Sequence, residues 1–213
     1  TKAKIVKEKK INENYDSDLL VAINNLKNQD YKLFFSDIDK LSILEKEDEL
    51  QKIILSSLRE FAHLFYYDEI DNKINNNFGH LTIINKAFQK CYLGDKNTTN
   101  FFDSAINSEK GDYSRYLFFY INFLISRGEI DKAKVIADKI NALSDSLLSI
   151  QAKNWVDKEK FDDFNKIFSC KNPQDIIGEF FYLIASLYSG EGDIKKSNFY
   201  LKISNYLNPK FEF

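Results

Sequence analysis

Residues 181–209, FYLIASLYSGEGDIKKSNFYLKISNYLNP, decide how the rest of the chain is read. Two apolar stripes at helical spacing stand on either side of a single Gly-Asp turn, and a proline closes the stretch. Phe181, Ile184, Ala185 and Tyr188 precede Gly192; Ser197, Leu201 and Ser204 follow it, and Pro209 ends the run. Steps of three and four place each set on one helix face. A break this short between two such helices folds them back on one another. The expected element is an antiparallel helix pair, closely approached at the small residues Ala185, Ser197 and Ser204. It carries no catalytic chemistry of its own.

This spacing is similar to the tetratricopeptide (TPR) pattern W-x2-L-G-x2-Y…A-x3-F…P, with Phe181 for Trp, Ile184 for Leu and Ala185 for Gly. The resemblance implies an all-α chain, a right-handed α-solenoid of about six antiparallel helix pairs. On this reading residues 1–213 form one TPR-like domain, with a basic segment at 1–15, degenerate repeats at 16–77 and clearer repeats at 78–213.

Working back from Gly192, the same punctuation recurs. Gly94 and Gly128 are 34 residues apart, the TPR period, and Gly128 and Gly192 are 64 apart, close to two periods. A turn is therefore expected near Glu159, between Leu148, Ala152 and Trp155 on one side and Phe164 and Phe168 on the other. Leu117, Tyr120, Ile121 and Leu124, then Ala133, Ala137 and Ile140, make the pair around Gly128. Pro173 opens the last first-helix, where proline needs no amide partner. A HEAT-like array with a longer period fits this glycine spacing less well.

Earlier copies are degenerate. Asp16-Ser17-Asp18 reads as a helix start before Leu19, Leu20, Ala22, Ile23 and Leu26, with a turn at Asn28-Gln29-Asp30-Tyr31 and a second helix turning Leu33, Phe34, Ile38 and Leu41 inward. A long helix is expected over Asp48–Tyr67, then a shrunken second helix plus loop over Asp68–Asn77. Leu81–Tyr92 resumes helix, Gly94-Asp95 ends it, Thr98 or Thr99 caps the next, and Gly111-Asp112 restarts the chain.

Composition agrees with helices: 44% hydrophobic, 29% charged, and only seven Gly and two Pro, too few for the turns of a sandwich or barrel. A net charge of -2 gives the basic start at Lys2, Lys4, Lys7, Lys9 and Lys10 no supporting patch, so a nucleic-acid partner is not expected. No apolar run reaches the ~20 residues of a membrane span. The chain starts at Thr1, and Phe211 and Phe213 stand where a further unit begins. The expectation is a piece of a longer repeat protein, or a tail folded back as a cap.

Candidate chemistry is sparse. Cys91 and Cys170, 79 residues apart, have no metal-type spacing and are expected to be small buried hydrophobes. His63 and His80 have no second ligand at metal spacing, and the Asp-rich pieces at 68–71 and 162–163 lack a calcium loop's glycine and final Glu. Ser189-Gly190-Glu191-Gly192 follows no strand and matches no phosphate loop. No catalytic residue, metal or cofactor is expected, and the chain is read as a non-enzyme.

In a TPR-like stack the first helices line a concave groove. The stripe beside their core face then gives Arg115, Phe118, Asn122 and Ile125; Ser149 and Lys153; and Tyr182 and Ser186 as candidate groove residues. Some TPR modules clamp chaperone carboxylate tails with Lys, Arg and Asn. Here Phe118, Ser149, Tyr182 and Ser186 hold those places, which favours an extended or helical apolar segment. The expected function is a scaffold or adaptor binding a protein or peptide along that face; the alternative is a structural or regulatory arm of a larger assembly, with an RNA-binding helical repeat disfavoured by charge. For compartment, cytoplasm and bacterial periplasm both stay open.

Overall fold

The computed structural model describes residues 2–43, 49–71, 73, 77–107 and 114–210, with side-chain surroundings from residue 15 onward. Among the described residues there are eleven helices and no strand: α1 (Lys2–Lys27), α2 (Tyr31–Ile43), α3 (Glu49–Tyr67), α4 (His80–Leu93), α5 (Thr98–Ile106), α6 (Arg115–Ser126), α7 (Ile130–Asp138), α8 (Leu147–Asp157), α9 (Asp162–Ile167), α10 (Pro173–Gly190) and α11 (Ile194–Leu207). The expected restart at Gly111-Asp112, Ile74, and Phe211 and Phe213 lie outside the described residues.

Five turns share one backbone device. At Gln29, Gly94, Gly128, Glu159 and Gly192 the chain enters the left-handed region, with φ of 62, 72, 74, 54 and 81°. At each, that residue's N–H donates to the carbonyl three back, and the next N–H donates to the carbonyl five back, at 2.8–3.1 Å. This Schellman arrangement satisfies carbonyls that the ending helix leaves orphaned. Asp30 and Asp193 then start the following helix, their carboxylates accepting from the N–H groups of Leu33 and Lys196 at 3.1 and 3.0 Å. One residue stops a helix and its neighbour starts the next. That is why the Gly-Asp pairs are such compact punctuation.

The chain divides into two compact units. Unit 1 comprises Thr1–Asn76 and Ile177–Leu207; unit 2 comprises Asn77–Ile176 and Asn208–Phe213. The boundary falls inside the first turn of α10.

In unit 1, α2 packs on α1 and α3, and α11 on α1. Helix α1 runs through Asp16-Ser17-Asp18 instead of starting there, because Tyr15, Leu19, Ala22, Ile23 and Leu26 carry one buried stripe past that point. Burial raises the Asp16 carboxyl, and Lys196 and Lys195 partly offset it. Phe61 of α3 meets Phe180 of α10 with ring centroids 6.0 Å apart. The Lys27 ammonium donates to the Tyr206 carbonyl at 2.6 Å and lies 3.7 Å from the centroid of that ring, while the Tyr206 hydroxyl donates to Asn24 at 3.0 Å. The last helix pair thus packs against the first helices, 179 residues away in sequence. A linear array, in which each pair touches only its sequence neighbours, makes no such contact. The shrunken second helix expected over 68–77 does not form among the described residues there. Instead Asp68, at φ 57°, ends α3 by donating its N–H to the Leu64 carbonyl at 2.8 Å.

In unit 2, α4 packs with α5 and α6 with α7; α5 touches α6, and α8 touches both α6 and α7. The core is aromatic. Phe88, Phe102, Phe118, Phe119, Phe164 and Phe168 are fully or almost fully buried, each contributing roughly 2–3 kcal/mol by area removed from water. Phe119 meets Phe88 at 5.1 Å and Phe168 at 4.7 Å. Thr98 begins α5 but does not cap it; its hydroxyl donates to the Asp95 carbonyl at 2.7 Å.

The cysteines are not free. Cys91 of α4 and Cys170, between α9 and α10, form a disulfide with Cα atoms 5.6 Å apart. The segment Phe168–Asp175 is strapped down by more than that bond. Phe168 is buried, its carbonyl accepts from Asn122 Nδ2 at 2.8 Å, and the Lys171 ammonium donates to the Tyr92 carbonyl. Asp175 accepts from the Ser169 N–H at 2.9 Å, yet burial pushes its carboxyl up to about 6.

Candidate binding surfaces

Three of the eight groove candidates are buried inside unit 2. Helix α6, RYLFFYINFLIS, is apolar around its whole circumference, and Tyr116–Leu124 are all buried. Phe118, expected in the groove, is a core residue with its ring 5.4 Å from Phe164 and 6.4 Å from Trp155. Asn122 is likewise buried and its amide is committed to the Phe168 carbonyl. Ser149 is fully buried, its hydroxyl donating to the Ser114 carbonyl and lying 3.0 Å from that of Ser146, the α8 N-cap. These three have no open face to offer a partner. The reason is physical: helical periodicity ranks faces by apolarity but does not say how many of them neighbours cover.

The other candidates keep solvent access. Arg115, Ile125 and Lys153 of unit 2 are half-exposed, the Lys153 ammonium donating to the Ala137 carbonyl at 3.2 Å. In unit 1, Tyr182 is half-exposed and Ser186 exposed, its hydroxyl donating to the Tyr182 carbonyl at 3.0 Å.

A different surface, not anticipated from periodicity, lies on the α2–α3 pair of unit 1. Phe35, Arg59, His63, Tyr67, Glu69 and Asp71 line a half-open depression of about 270 Å³. Arg59, His63 and Tyr67 stand at i, i+4 and i+8 on one face of α3. Phe35 sits one position beyond the inward Phe34, at the edge of the core. Because Asp68 turns the backbone sharply, Glu69 and Asp71 come back toward the exit of α3. The Phe35 ring lies 6.1 and 6.0 Å from those of Tyr66 and Tyr67, and the His63 ring 4.6 Å from Tyr67. Tyr66 and Tyr67 remain 41% and 53% exposed, unusual for two adjacent aromatic residues.

Its charges are only partly matched. Arg59 pairs with Asp39 at 3.0 Å, whereas Glu69 faces His63 Nε2 at the longer distance of 3.9 Å. His63 Nδ1 is buried without a hydrogen-bond partner. With Arg59 already paired, the rim presents two carboxylates next to aromatic faces. That arrangement can receive a cationic or aromatic side chain. It supplies no nucleophile, base and orienting group in sequence, and among the described residues no group of three or more His, Cys, Asp or Glu is placed to hold a metal. The Arg59/His63/Tyr67 spacing was the available signal in the sequence.

Comparison with protein-family models, with curated proteins and with solved structures finds no match for this chain. No helix of the described residues is long and apolar enough to cross a membrane.

Proposed function

We propose that this chain is a non-catalytic helical binding module that holds a segment of a partner protein. The observation that carries the reading is the α2–α3 depression, where the exposed Tyr67, a paired arginine and two carboxylates converge. Interface hot spots are built from these residue types around a small hollow. The acidic rim favours a partner segment that offers a basic side chain.

The TPR-like reading is kept for α4–α9. There each pair touches the next through α5–α6, α6–α8 and α7–α8, the pattern in which one helix pair buries its face only by stacking on another. A right-handed solenoid remains the proposed geometry for that run. Arg115, Ile125 and Lys153 are its accessible candidate residues; Tyr182 and Ser186 are those of α10.

The test is a peptide array of Lys- and Arg-containing segments probed with the full chain and with the variant Arg59→Ala, Tyr67→Ala. Both residues are exposed, so the variant should fold with little change in stability. Affinity for the selected peptides should fall at least about tenfold, ~1.4 kcal/mol. Unchanged affinity removes the depression from the binding surface. Salt-sensitive retention of RNA with no peptide binding replaces the reading with a nucleic-acid one.

A further inference from the structure

The cystine carries an inference about where this protein acquires its fold. We infer that Cys91–Cys170 is a permanent structural cross-link, installed by thiol–disulfide exchange with an oxidised dithiol protein or a small disulfide in an oxidising compartment.

The chain has two cysteines, and both are consumed by one bond between segments 79 residues apart. Compartments that keep thiols reduced rarely hold such pairs, other than transient catalytic or sensing ones. A sensing role needs an element with two arrangements for the bond to choose between. The strap that carries Cys170 is anchored independently of the bond. Phe168 is fully buried against Phe88 and Phe119, with centroids 5.7 and 4.7 Å away. Asn122 holds the Phe168 carbonyl, Asp175 holds the Ser169 N–H, and Lys171 reaches Tyr92. Opening the bond leaves these anchors in place. The bond therefore acts chiefly on the unfolded chain, closing a long loop. Unit 2 has reason to use it: α5 and α7 have nine residues each and α9 six, lengths at which a helix does not persist alone.

Accessibility orders the chemistry. Cys91 is 3% exposed and Cys170 is half-buried, so Cys170 meets the oxidant first. Its thiolate attacks one sulfur of the partner disulfide; a mixed disulfide forms and the partner's other sulfur leaves as thiolate. The Cys91 thiolate then attacks Cys170 Sγ and expels the partner's remaining thiolate. Two electrons pass to the partner, which ends as a dithiol (or, for a small disulfide, as two thiols), and the two thiol protons of this chain are released to it or to solvent.

The test uses the full chain isolated from its own cells, quenched in acid and alkylated under denaturing conditions. Mass spectrometry should find no adduct before reduction and two after it; two adducts before reduction overturn the inference. A second measurement separates a structural bond from an incidental one. The Cys91→Ser, Cys170→Ser variant should keep its helical circular dichroism at 20 °C but melt about 10 °C lower. If that variant does not fold, wild-type protein melted with and without reductant gives the same comparison. A Tm that reductant leaves unchanged, in protein shown to carry the bond, overturns the structural role.

Discussion

The ring of Tyr200 lies parallel to that of Phe181, with centroids 5.8 Å apart and planes 9° apart. Tyr188 stacks on the same ring at 5.3 Å and 9°. Phe181 and Tyr188 are two turns apart on α10, about 10.5 Å along the axis, so Tyr200 of α11 fits between them. Its hydroxyl is held protonated far above the ordinary tyrosine range, first by burial and then by Tyr15, Tyr188 and Asp16. Leu201, expected in this stripe, is 45% exposed instead.

Replacing Tyr200 should therefore be severe and replacing Leu201 mild. Tyr200→Ala is expected to destabilise the protein by about 3–5 kcal/mol, and Leu201→Ala by no more than ~1 kcal/mol. Urea titration of the two variants decides it. The opposite order puts Leu201 back in the core stripe.

Glu159 occupies a left-handed position that Gly94, Gly128 and Gly192 fill without a Cβ. Glu159→Gly should stabilise by roughly 0.5–1 kcal/mol, since its ion pair with Lys134 at 3.2 Å is exposed and contributes little. Gly192→Ala should lose about 1 kcal/mol. A Cβ there meets nothing within 4 Å, so the whole loss is backbone conformation. Thermal melts showing Glu159→Gly to be destabilising would refute the turn geometry.

Asp175 gives a pH dependence of definite sign. Burial raises its carboxyl from 3.8 to about 6, against the Ser169 N–H, Lys210 and Asn172. Below about pH 3 it is protonated in both states and its burial is uncharged. As pH rises from about 4 to about 6 the unfolded chain ionises first, and stability on the order of 2 kcal/mol is lost. Above that window the loss is constant. Asp175→Asn keeps an acceptor for Ser169 and should remove this slope. The quantity to follow is variant minus wild-type stability at pH 4 and pH 7; a difference that does not change with pH rules the account out.

Asn122 bridges α6 to the end of α9 through the Phe168 carbonyl. Asn122→Leu conserves volume but strands that acceptor in the core, and should cost about 1–3 kcal/mol. Helical circular dichroism at low temperature should stay the same. Were Asn122 a groove residue instead, the variant would be as stable as the parent and altered only in partner binding.

Much of the local structure was legible beforehand. Gln29, Glu159 and Gly192 stand at turns, and Pro173 at a helix start, as their local sequence predicts, because backbone sterics act within a few residues. The Ala22, Ala133, Ala137, Ala152 and Ala185 positions are buried as their periodicity requires. Helix α1 continues through Asp16-Ser17-Asp18, since a good cap sequence yields when the apolar stripe continues through it. The Arg59/His63/Tyr67 stripe marks only one wall of the α2–α3 depression; the rest depends on how Asp68 redirects the chain, which no local pattern encodes.

What the sequence determined by itself is the helical character, the stripes and the left-handed turns, all set by interactions reaching no further than about five residues. Long-range packing sets the rest: α11 returns to α1, Phe118, Asn122 and Ser149 are covered, Tyr200 rather than Leu201 points inward, and Cys91 meets Cys170. Each of these joins positions far apart in the chain. Periodicity orients a side chain about its own helix axis, whereas coverage and pairing depend on which distant helix arrives at that face.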